Sequence, residues 1–402
     1  MSWNQEHNLP KKIYGTLFWS VPLLFLVSVF INSPLVFGLG VLFTFFILLN
    51  HFYLQYVSKK TTVFDEIEVI RMFPDDTRTI TIPLENKGKL PVLNGEVSFT
   101  FYDYDGAIEV VGSDSINQES YSFPYSLLPL TRKKRNIEVK ALKRGVAQIR
   151  TIEYTVHDLL KLSYLRLHYR DYFRREMIVY PTPMAINGLD QIVQQRQGDI
   201  PRQHSQHEDV MMTMGTREYT SGDPFNRVNW KASARTNSLQ TKIYEKTTIL
   251  NWTIVVNIYN KDRSKLTVRN LEEVLSHAAF LCQFATKHHI SFELYINTRV
   301  PKFTFIHIPP ANGKDHLMKA LELLARVSKY TITTHPIEVL KTVKIRTGPN
   351  PFIFHLGSFS QEEDNLYREW KRTGATVYRV ESNEDIGQVV PVGGGKNETM
   401  AN

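Results

Sequence analysis

Charged residues are absent from a long stretch near the N-terminus. Between Ile13 and Ser58 the chain has no Asp, Glu, Lys or Arg, and His51 is the only side chain there that titrates near neutral pH. A transmembrane helix needs about 20 apolar residues to cover roughly 30 Å of hydrocarbon. The uncharged stretch is therefore long enough to cross a bilayer twice.

Cysteine is nearly absent as well, since Cys282 is the only one among 402 residues. A single cysteine excludes a disulfide framework and a zinc site built on thiolates, and it fits a reducing compartment. The chain also lacks a glycine-rich phosphate-binding loop, a dinucleotide-binding fingerprint and any evident Ser-His-Asp or Cys-His arrangement. We therefore expect no catalytic residues, no cofactor and no enzymatic activity.

The uncharged stretch is divided by the triplet Asn32-Ser33-Pro34. Pro34 has no amide donor, and a proline pushes the preceding residue out of the helical conformation. We therefore predict two transmembrane helices, at about residues 13–31 and 35–56, within a membrane segment of residues 13–58.

Lysine pairs flank this predicted hairpin, at Lys11-Lys12 before it and Lys59-Lys60 after it. Positive charge stays on the cytoplasmic side of a membrane. The prediction is a multi-pass protein of the cell membrane, with residues 1–12 as a cytoplasmic N-terminal tail and everything after the hairpin also cytoplasmic.

Two other interpretations of the stretch remain open. A cleaved signal peptide has a shorter apolar core followed by polar sequence, whereas a second apolar run follows Ile31 here. A helical hairpin in a soluble protein usually has one apolar stripe, whereas both faces of these segments are apolar.

The net charge is +8, from 48 basic and 40 acidic residues. A cytoplasmic protein held beneath an anionic leaflet gains about 1 kcal/mol for each basic residue near the surface, so this excess does not require nucleic acid. The basic run Arg132–Arg135 either contributes to that attraction or is a solvated hairpin tip.

Residues 59–183 have the period of antiparallel strands. Apolar and polar residues alternate strictly in three segments, at Thr79–Leu84, Glu96–Tyr102 and Asn136–Ala141, and turn-forming sequences separate them. Short strands at this spacing predict an all-β domain of the immunoglobulin-like sandwich type.

Residues 251–388 alternate between buried strands and amphipathic helices. The predicted strands are residues 253–258, 291–296, 351–356 and 375–380, and the predicted helices are residues 268–287, 315–329 and 362–372. This order is typical of an α/β domain with a mostly parallel, Rossmann-like sheet. Residues 389–402 are glycine-rich and are expected to be disordered.

Residues 184–250, between these domains, are interpreted as a linker that contains a distinctive sequence motif. Asp223-Pro224 predicts the start of a helix, and Asn237 is placed to end it. Arg227, Lys231 and Arg235 would then stack on one helix face and need acidic neighbours. Two alternatives stay open: internal pairing with Glu218, Asp223 or Glu245, or an acidic partner or phosphate.

This segment resembles the pattern of a bacterial family known as domain of unknown function 58. The matching residues are Gly215, Arg217, Glu218 and Tyr219, then Ser221, Gly222 and Asp223, then Arg227, Trp230, Lys231, Ala234 and Arg235. The resemblance implies a von Willebrand factor type A-like α/β domain. It also implies association with a MoxR-type AAA+ ATPase and a transglutaminase-like membrane protein.

One departure concerns the metal site of such type A domains, which use Asp-x-Ser-x-Ser after the first strand to bind a divalent cation. The corresponding positions here are Asn257, Tyr259 and Lys261. An ammonium group in place of a ligand hydroxyl repels a cation, so we predict no metal at this degenerate site.

The sequence-based hypothesis is a non-catalytic scaffold or adaptor, anchored in the lipid bilayer, whose type A-like domain binds protein partners during assembly or maturation of an envelope complex. The signature segment, residues 215–235, is then either a binding surface or a structural element. One alternative is nucleic-acid or anionic-surface binding through that segment, although its basic residues are only partly interleaved with aromatics. A second alternative is a cryptic hydrolase.

Overall fold

The computed structural model describes residues 3–6, 11–63, 68–111, 120–158, 161, 164–169, 175–193, 208–246, 251–262, 265–347, 351–383 and 386–393. The chain forms two compact units. Unit 1 contains Met1–Thr182 with Ala325–Ser328, and unit 2 contains Pro183–Leu324 with Lys329–Asn402.

Unit 1 begins with strand β1 (Trp3–Glu6), helix α1 (Lys11–Ile31) and helix α2 (Pro34–Lys60). The predicted break between the helices is confirmed, because Asn32 is left-handed with a φ of 52° and Ser33 is the N-cap of α2. The two helices pack against each other: the rings of Phe25 and Phe37 lie 5.4 Å apart.

Within the described residues, one helix is long and apolar enough to cross a bilayer, judged by its length and composition. This is α2, whose most apolar 18-residue window is only 11% buried. The described part of α1 contributes a shorter apolar stretch, Trp19–Ile31. Of the two predicted spans, the second therefore corresponds to a described helix that is long and apolar enough to cross a membrane.

Ten further strands of unit 1 lie in the part of the chain that the structure describes. They are β2 (Thr61–Val63), β3 (Glu68–Met72), β4 (Thr77–Asn86), β5 (Gly95–Tyr102), β6 (Ile108–Val110), β7 (Ser120–Pro124), β8 (Thr131–Ala141), β9 (Gly145–His157), β10 (Tyr164–Tyr169) and β11 (Arg175–Val179).

These strands form two sheets around one shared apolar core. One sheet has the order β2-β4-β8-β6, and the other has the path β1-β10-β9-β11-β3, with β5 and β7 joined to it through β9. The predicted alternation is confirmed in β5, where Val97, Phe99 and Phe101 are buried and the residues between them are half-buried. Two sheets that share a core are the arrangement the alternating pattern predicts.

The basic run Arg132–Arg135 is not a hairpin tip. It lies within β8, which pairs with β4 along ten residues, and its four side chains are exposed. Arg132 pairs with Glu85 across the two strands at 2.9 Å.

Unit 2 contains nine strands and five helices among its described elements. The strands are β12 (Ile186–Asn187), β13 (Glu208–Glu218), β14 (Gln240–Lys246), β15 (Asn251–Asn257), β16 (Ser291–Ile296), β17 (Ile306–Ala311), β18 (Phe352–Gly357), β19 (Thr376–Asn383) and β20 (Ile386–Pro391). The helices are α3 (Trp230–Thr236), α4 (Leu271–Lys287), α5 (Lys314–Ala325), α6 (Pro336–Arg346) and α7 (Gln361–Arg372).

Seven of these strands form one mixed sheet with the order β12-β20-β19-β18-β15-β16-β17. Its central strands β16, β15, β18 and β19 are parallel, whereas β17 and β20 run antiparallel to their neighbours. Val255 packs with α6 and α7, while Trp252 stacks on Phe284 of α4 at 5.7 Å. Side chains alternate across a strand, so helices cover both faces of this sheet.

Two expectations for unit 2 are wrong. Helix α5 ends at Ala325 rather than near Lys329. The chain after residue 388 does not become disordered at once, because β20 continues to Pro391 and the Val392 amide bonds to Val377 O at 3.0 Å. Residues 394–402 lie outside the described part of the chain.

Candidate functional site

Two regions of unit 2 contain the residues that the sequence singled out. The first is a buried polar cluster at the carboxyl ends of β15, β16 and β18. In the sheet, β15 has β16 on one side and β18 on the other, so the strand order reverses at β15. Open α/β sheets bind ligands at the carboxyl edge beside such a switch point.

Asn257, the last residue of β15, is at the centre of this polar cluster and is 1% exposed. Its amide nitrogen donates to Ser358 O and to Glu363 Oε1, each at 2.8 Å. Its amide oxygen accepts from Asn297 Nδ2 at 2.9 Å and from the Tyr259 amide at 3.1 Å. Protein groups thus engage both ends of the Asn257 side chain.

The approach of β18 to Asn257 depends on Gly357. This residue has a φ of +95°, and a Cβ atom there would lie 2.0 Å from Asn257 O. A side chain at this position would push apart the two strand ends that form the cluster.

Glu363 is buried in the same cluster and caps helix α7. Its carboxylate accepts from the Ser360 amide at 2.8 Å, while the Ser360 hydroxyl accepts from the Glu363 amide, which is a capping box. The other carboxylate oxygen binds Asn257. The carboxylate therefore has a structural partner on each oxygen.

His355, in β18, is fully buried beside Glu363. One ring nitrogen, Nε2, donates to Ser358 O at 2.8 Å, so the other, Nδ1, accepts from the Tyr367 hydroxyl at 2.8 Å. Burial lowers the pKa of His355, and the nearby Glu363 carboxylate only partly opposes that shift. The imidazole is therefore neutral at pH 7.

The other two positions of the degenerate metal site do not join Asn257. The Tyr259 ring packs against His335 at 5.3 Å, and Lys261 is exposed. Among the described residues no three His, Cys, Asp or Glu side chains come together in a way that would hold a metal ion.

The second region is the signature segment, which lies between two paired strands rather than in a linker. Strands β13 and β14 form a separate antiparallel sheet, with Glu218 opposite Gln240. A 3-10 helix (Phe225–Arg227) and α3 connect them. We refer to residues 215–244 as the signature module.

Asp223 does not cap a helix, so the predicted helix start is wrong. Val228 returns to an extended conformation and bridges to Thr241, which separates the 3-10 helix from α3. The true N-cap of α3 is Asn229, whose Oδ1 accepts from the Ala232 amide at 3.2 Å. The predicted end is confirmed, because Asn237 is left-handed with a φ of 54°.

Asp223 instead pairs with Arg217 through two hydrogen bonds, at 2.8 and 2.5 Å. It also accepts from the Thr220 amide at 3.0 Å and from the Thr241 hydroxyl at 3.3 Å. The hydrogen bond from Arg217 is the largest of the effects that hold the pKa of Asp223 far below its usual range. This pair, with Gly222 in the turn between its partners, closes the loop after β13.

The predicted stack of three basic residues on one helix face is also wrong. Arg227 lies outside α3, and its guanidinium packs over the Tyr244 ring at 5.5 Å. Lys231 and Arg235 remain one helical turn apart on α3, and both are exposed. Glu218 is exposed at the end of β13, while the side chain of Glu245 lies outside the described residues.

Large aromatic side chains are exposed on this module. Phe225 is 62% and Trp230 60% exposed, and their rings lie 5.5 Å apart. Tyr219 contacts Phe225 at 6.5 Å. We call Tyr219, Phe225, Trp230, Lys231 and Arg235 the aromatic-basic surface.

A cleft of about 330 Å³ opens beside the polar cluster, between the start of α4 and the ends of β18 and β19. It is lined by Glu273, His277, Phe359, Arg379 and Glu381, among others. The guanidinium of Arg379 packs over the Phe359 ring at 4.9 Å and pairs with Glu381. Sequence reasoning missed this cleft, since its residues come from three separate segments.

Comparison with known families finds one match, to the family described as "Protein of unknown function DUF58", over residues 215–359. The matched range begins with the signature module and ends two residues after β18, before Glu363 of the polar cluster. No curated relative matches the sequence.

Solved structures show only weak likeness. An alpha-2-macroglobulin from Salmonella is 14% identical with a TM-score of 0.21, covering 31% of this chain and 7% of that protein. The secreted serine protease VesC from Vibrio cholerae is 7% identical with a TM-score of 0.19, covering 33% of this chain and 25% of that one. A cohesin–dockerin complex from Clostridium thermocellum is 14% identical with a TM-score of 0.20, covering 29% of this chain and 97% of the matched one.

Proposed function

We propose that the chain is a membrane-anchored, non-catalytic scaffold whose cytoplasmic part binds a protein partner through the aromatic-basic surface. Unit 2 supplies the type A-like domain of this proposal. The observation that carries it is the exposure of Phe225 and Trp230, whose rings lie 5.5 Å apart, on a module that also exposes Lys231 and Arg235. Aromatic and basic side chains clustered in one exposed patch are typical of binding hot spots.

The signature module has little core of its own. It is a two-stranded sheet with a seven-residue helix, and only Val228, Gln240, Thr241 and Tyr244 are buried among its described side chains. Two-stranded sheets are marginally stable alone. A protein partner that covers Phe225 and Trp230 would stabilise the module.

The anchor in this proposal is a hairpin of α1 and α2, because both sides of the helical segment enter the same unit. Strand β1, before α1, pairs with β10, and strand β2, after α2, pairs with β4. A segment that leaves and returns to one folded unit crosses a membrane an even number of times. The flanking lysine pairs place that unit, and with it the rest of the chain, in the cytoplasm.

In this proposal the polar cluster has a structural role, because Asn257, Glu363 and His355 are each bound by other protein groups. The resemblance to the bacterial family suggests a MoxR-type AAA+ ATPase as the partner, in assembly or maturation of an envelope complex. A transglutaminase-like membrane protein is a second partner by the same resemblance.

The full-length chain, solubilised mildly from its native membrane, tests this proposal by quantitative mass spectrometry of retained proteins. Phe225→Ala with Trp230→Ala should reduce a specific partner at least severalfold. Phe303→Ala is the matched control, because Phe303 is a 68% exposed aromatic outside the module. Equal retention by both variants, or no retained protein, would contradict the scaffold.

Nucleic-acid or anionic-surface binding is the second candidate, and the aromatic rings beside Lys231 and Arg235 favour it. Bases stack on exposed aromatics while cations neutralise phosphates. Fluorescence anisotropy with single-stranded DNA and RNA separates the two candidates. Binding that falls steeply with salt and is lost in the double variant would replace the protein-scaffold proposal.

A further inference from the structure

The last two turns of α2 are held by a loop of unit 1, residues 87–93. The Tyr53 hydroxyl donates to Pro91 O at 2.8 Å, and the Lys89 amide donates to the Tyr56 hydroxyl at 3.0 Å. The Lys87 amide bonds to Lys60 O at 2.9 Å. This loop is therefore fixed beside the end of the apolar helix.

A second loop, residues 126–131, lies against the first. Val92 and Leu127 exchange backbone hydrogen bonds at 2.7 and 2.9 Å, and the Leu130 amide bonds to Gly88 O at 3.1 Å. Asn86 is buried between the loops and donates to Leu90 O and Leu128 O. The two loops form one layer, which we call the leucine loops.

Four leucines of this layer are exposed to solvent. Leu90 and Leu93 belong to the first loop, Leu128 and Leu130 to the second, and their exposed fractions range from 41 to 70%. The same loops do bury other apolar side chains, since Val92 and Leu127, which lie between these leucines in the sequence, are fully buried. Four large apolar side chains exposed on one layer indicate that this layer contacts an apolar environment outside the protein.

The position of the leucine loops along α2 indicates what that environment is. About 20 helical residues cover the hydrocarbon thickness of a bilayer, and 20 residues from Pro34 end at Tyr53. Tyr53 is the residue that binds the first loop. The leucine loops therefore lie at the level where the helix leaves the hydrocarbon.

The charge of this layer fits an anionic membrane surface. Lys59, Lys60, Lys87 and Lys89 are exposed around the helix end. Glu85 is mostly covered and pairs with Arg132 at 2.9 Å and Lys87 at 3.8 Å. Lysines beside apolar side chains are the pattern that binds anionic headgroups while the apolar groups enter the interface.

We propose that the leucine loops are a second membrane contact of unit 1, seated on the anionic cytoplasmic leaflet. The leucines enter the interfacial zone and the lysines bind lipid phosphates. This inference rests on the proposed membrane span of α2. It adds that the β-rich unit lies on the membrane in a fixed orientation.

The chain offers a matched control for this contact on the same strand. β8 starts at Thr131, the last residue of the leucine loops, and ends ten residues later at Ala141. Its ends are about 33 Å apart at the usual rise of a strand. Leu142 follows the far end and is 46% exposed, which makes it an exposed leucine away from the proposed contact.

The experiment labels single cysteines with an environment-sensitive fluorophore in the full-length chain. The variants are Leu128→Cys, Leu93→Cys, Leu142→Cys and, within α2, Phe45→Cys. Cys282 is fully buried, so the unsubstituted chain should stay unlabelled when folded. Each labelled chain is reconstituted in vesicles of phosphatidylcholine and phosphatidylserine and quenched by spin-labelled lipid or by aqueous iodide.

The proposal predicts that spin-labelled lipid quenches the probes at positions 45, 93 and 128, and that iodide quenches the probe at 142 severalfold more than the probe at 128. If position 45 is quenched by lipid while 93 and 128 respond to iodide like 142, the second contact is wrong and the anchor stands. If position 45 is not quenched by lipid, the membrane span itself is wrong.

Discussion

The signature module and most of the polar cluster lie in the same matched range of the chain, with Glu363 just beyond it, yet the two regions differ in how their polar and aromatic groups are used. In the cluster, Asn257, Glu363 and His355 are buried and each is bound by other protein groups. In the module, Phe225 and Trp230 are mostly exposed and Lys231 faces solvent. The cluster maintains the fold, whereas the module presents side chains outward, which is where we propose that a partner binds.

The largest expected effect is on the cluster. Asn257→Leu removes four hydrogen bonds, so that buried partners such as Glu363 each lose a hydrogen bond. We expect a loss of about 3 kcal/mol in the free energy of unfolding of unit 2, measured in urea. Asn365→Leu, at an exposed asparagine of α7, is the control and should change it by less than about 0.5 kcal/mol. Equal effects of the two substitutions would show that the cluster is not structural.

A pH titration gives the next largest effect. Burial lowers the pKa of His355 in the folded chain, so below its unfolded pKa of about 6.5 the unfolded state binds more protons. Stability is then full above that pH and falls as the pH is lowered through 6.5 toward the folded pKa. Between pH 7.5 and 5.5 the contribution of His355 is at most about 1.4 kcal/mol.

His355→Gln should reduce this pH-dependent loss, because glutamine does not titrate. His277 and His307 also have lowered pKa values and remain in the variant, so part of the loss should persist. An identical slope of unfolding free energy against pH in both proteins would contradict a buried, neutral His355.

On the module, Trp230→Ala should change the free energy of unfolding by no more than about 0.5 kcal/mol, because an exposed side chain contributes little to the fold. The same substitution should reduce partner retention. Thermal unfolding and co-purification of one preparation test both statements. A large loss of stability would assign Trp230 to the fold and weaken the contrast with the cluster.

The smallest global effect is expected at the salt bridge of the module. Asp223→Asn removes the charge that pairs with Arg217 and weakens the turn at Thr220. The melting temperature should stay unchanged, while limited proteolysis between residues 219 and 229 should become faster. Unchanged proteolysis would show that the pair does not order the module.

Much of the fold could be predicted from local patterns. The uncharged stretch and its turn predict α1 and α2, and the alternation at Val97, Phe99 and Phe101 predicts β5, because burial on one face leaves a period of two in the sequence. The strand–helix order after residue 251 likewise predicts the central strands of the large sheet. These features depend on each segment alone.

Most of the features that were not predicted depend on residues that are far away in the sequence. The start of α3 was misplaced because Asn229 bonds to Gln240 O, a contact across the hairpin that prevents a helix from beginning at Asp223. Strands β17 and β20 were not predicted, since each is only six residues long and contains proline. Helix α6 was also missed, although Val339, Leu340 and Val343 follow helical spacing. At the site, the sequence identified the residues of the signature segment but not their contacts. Asp223 accepts a hydrogen bond from Thr241, and Arg227 packs over the Tyr244 ring.

The strand that precedes the helices has a consequence for biogenesis. β1 completes its sheet edge only when β10 is available, and Trp3 pairs with Tyr169. During synthesis on the ribosome, the helices emerge long before that partner, so the first residues stay unpaired until β10 has been made. A bulky fusion at the extreme N-terminus would then slow closure of the sheet, whereas the same fusion at the other end of the chain would leave it untouched.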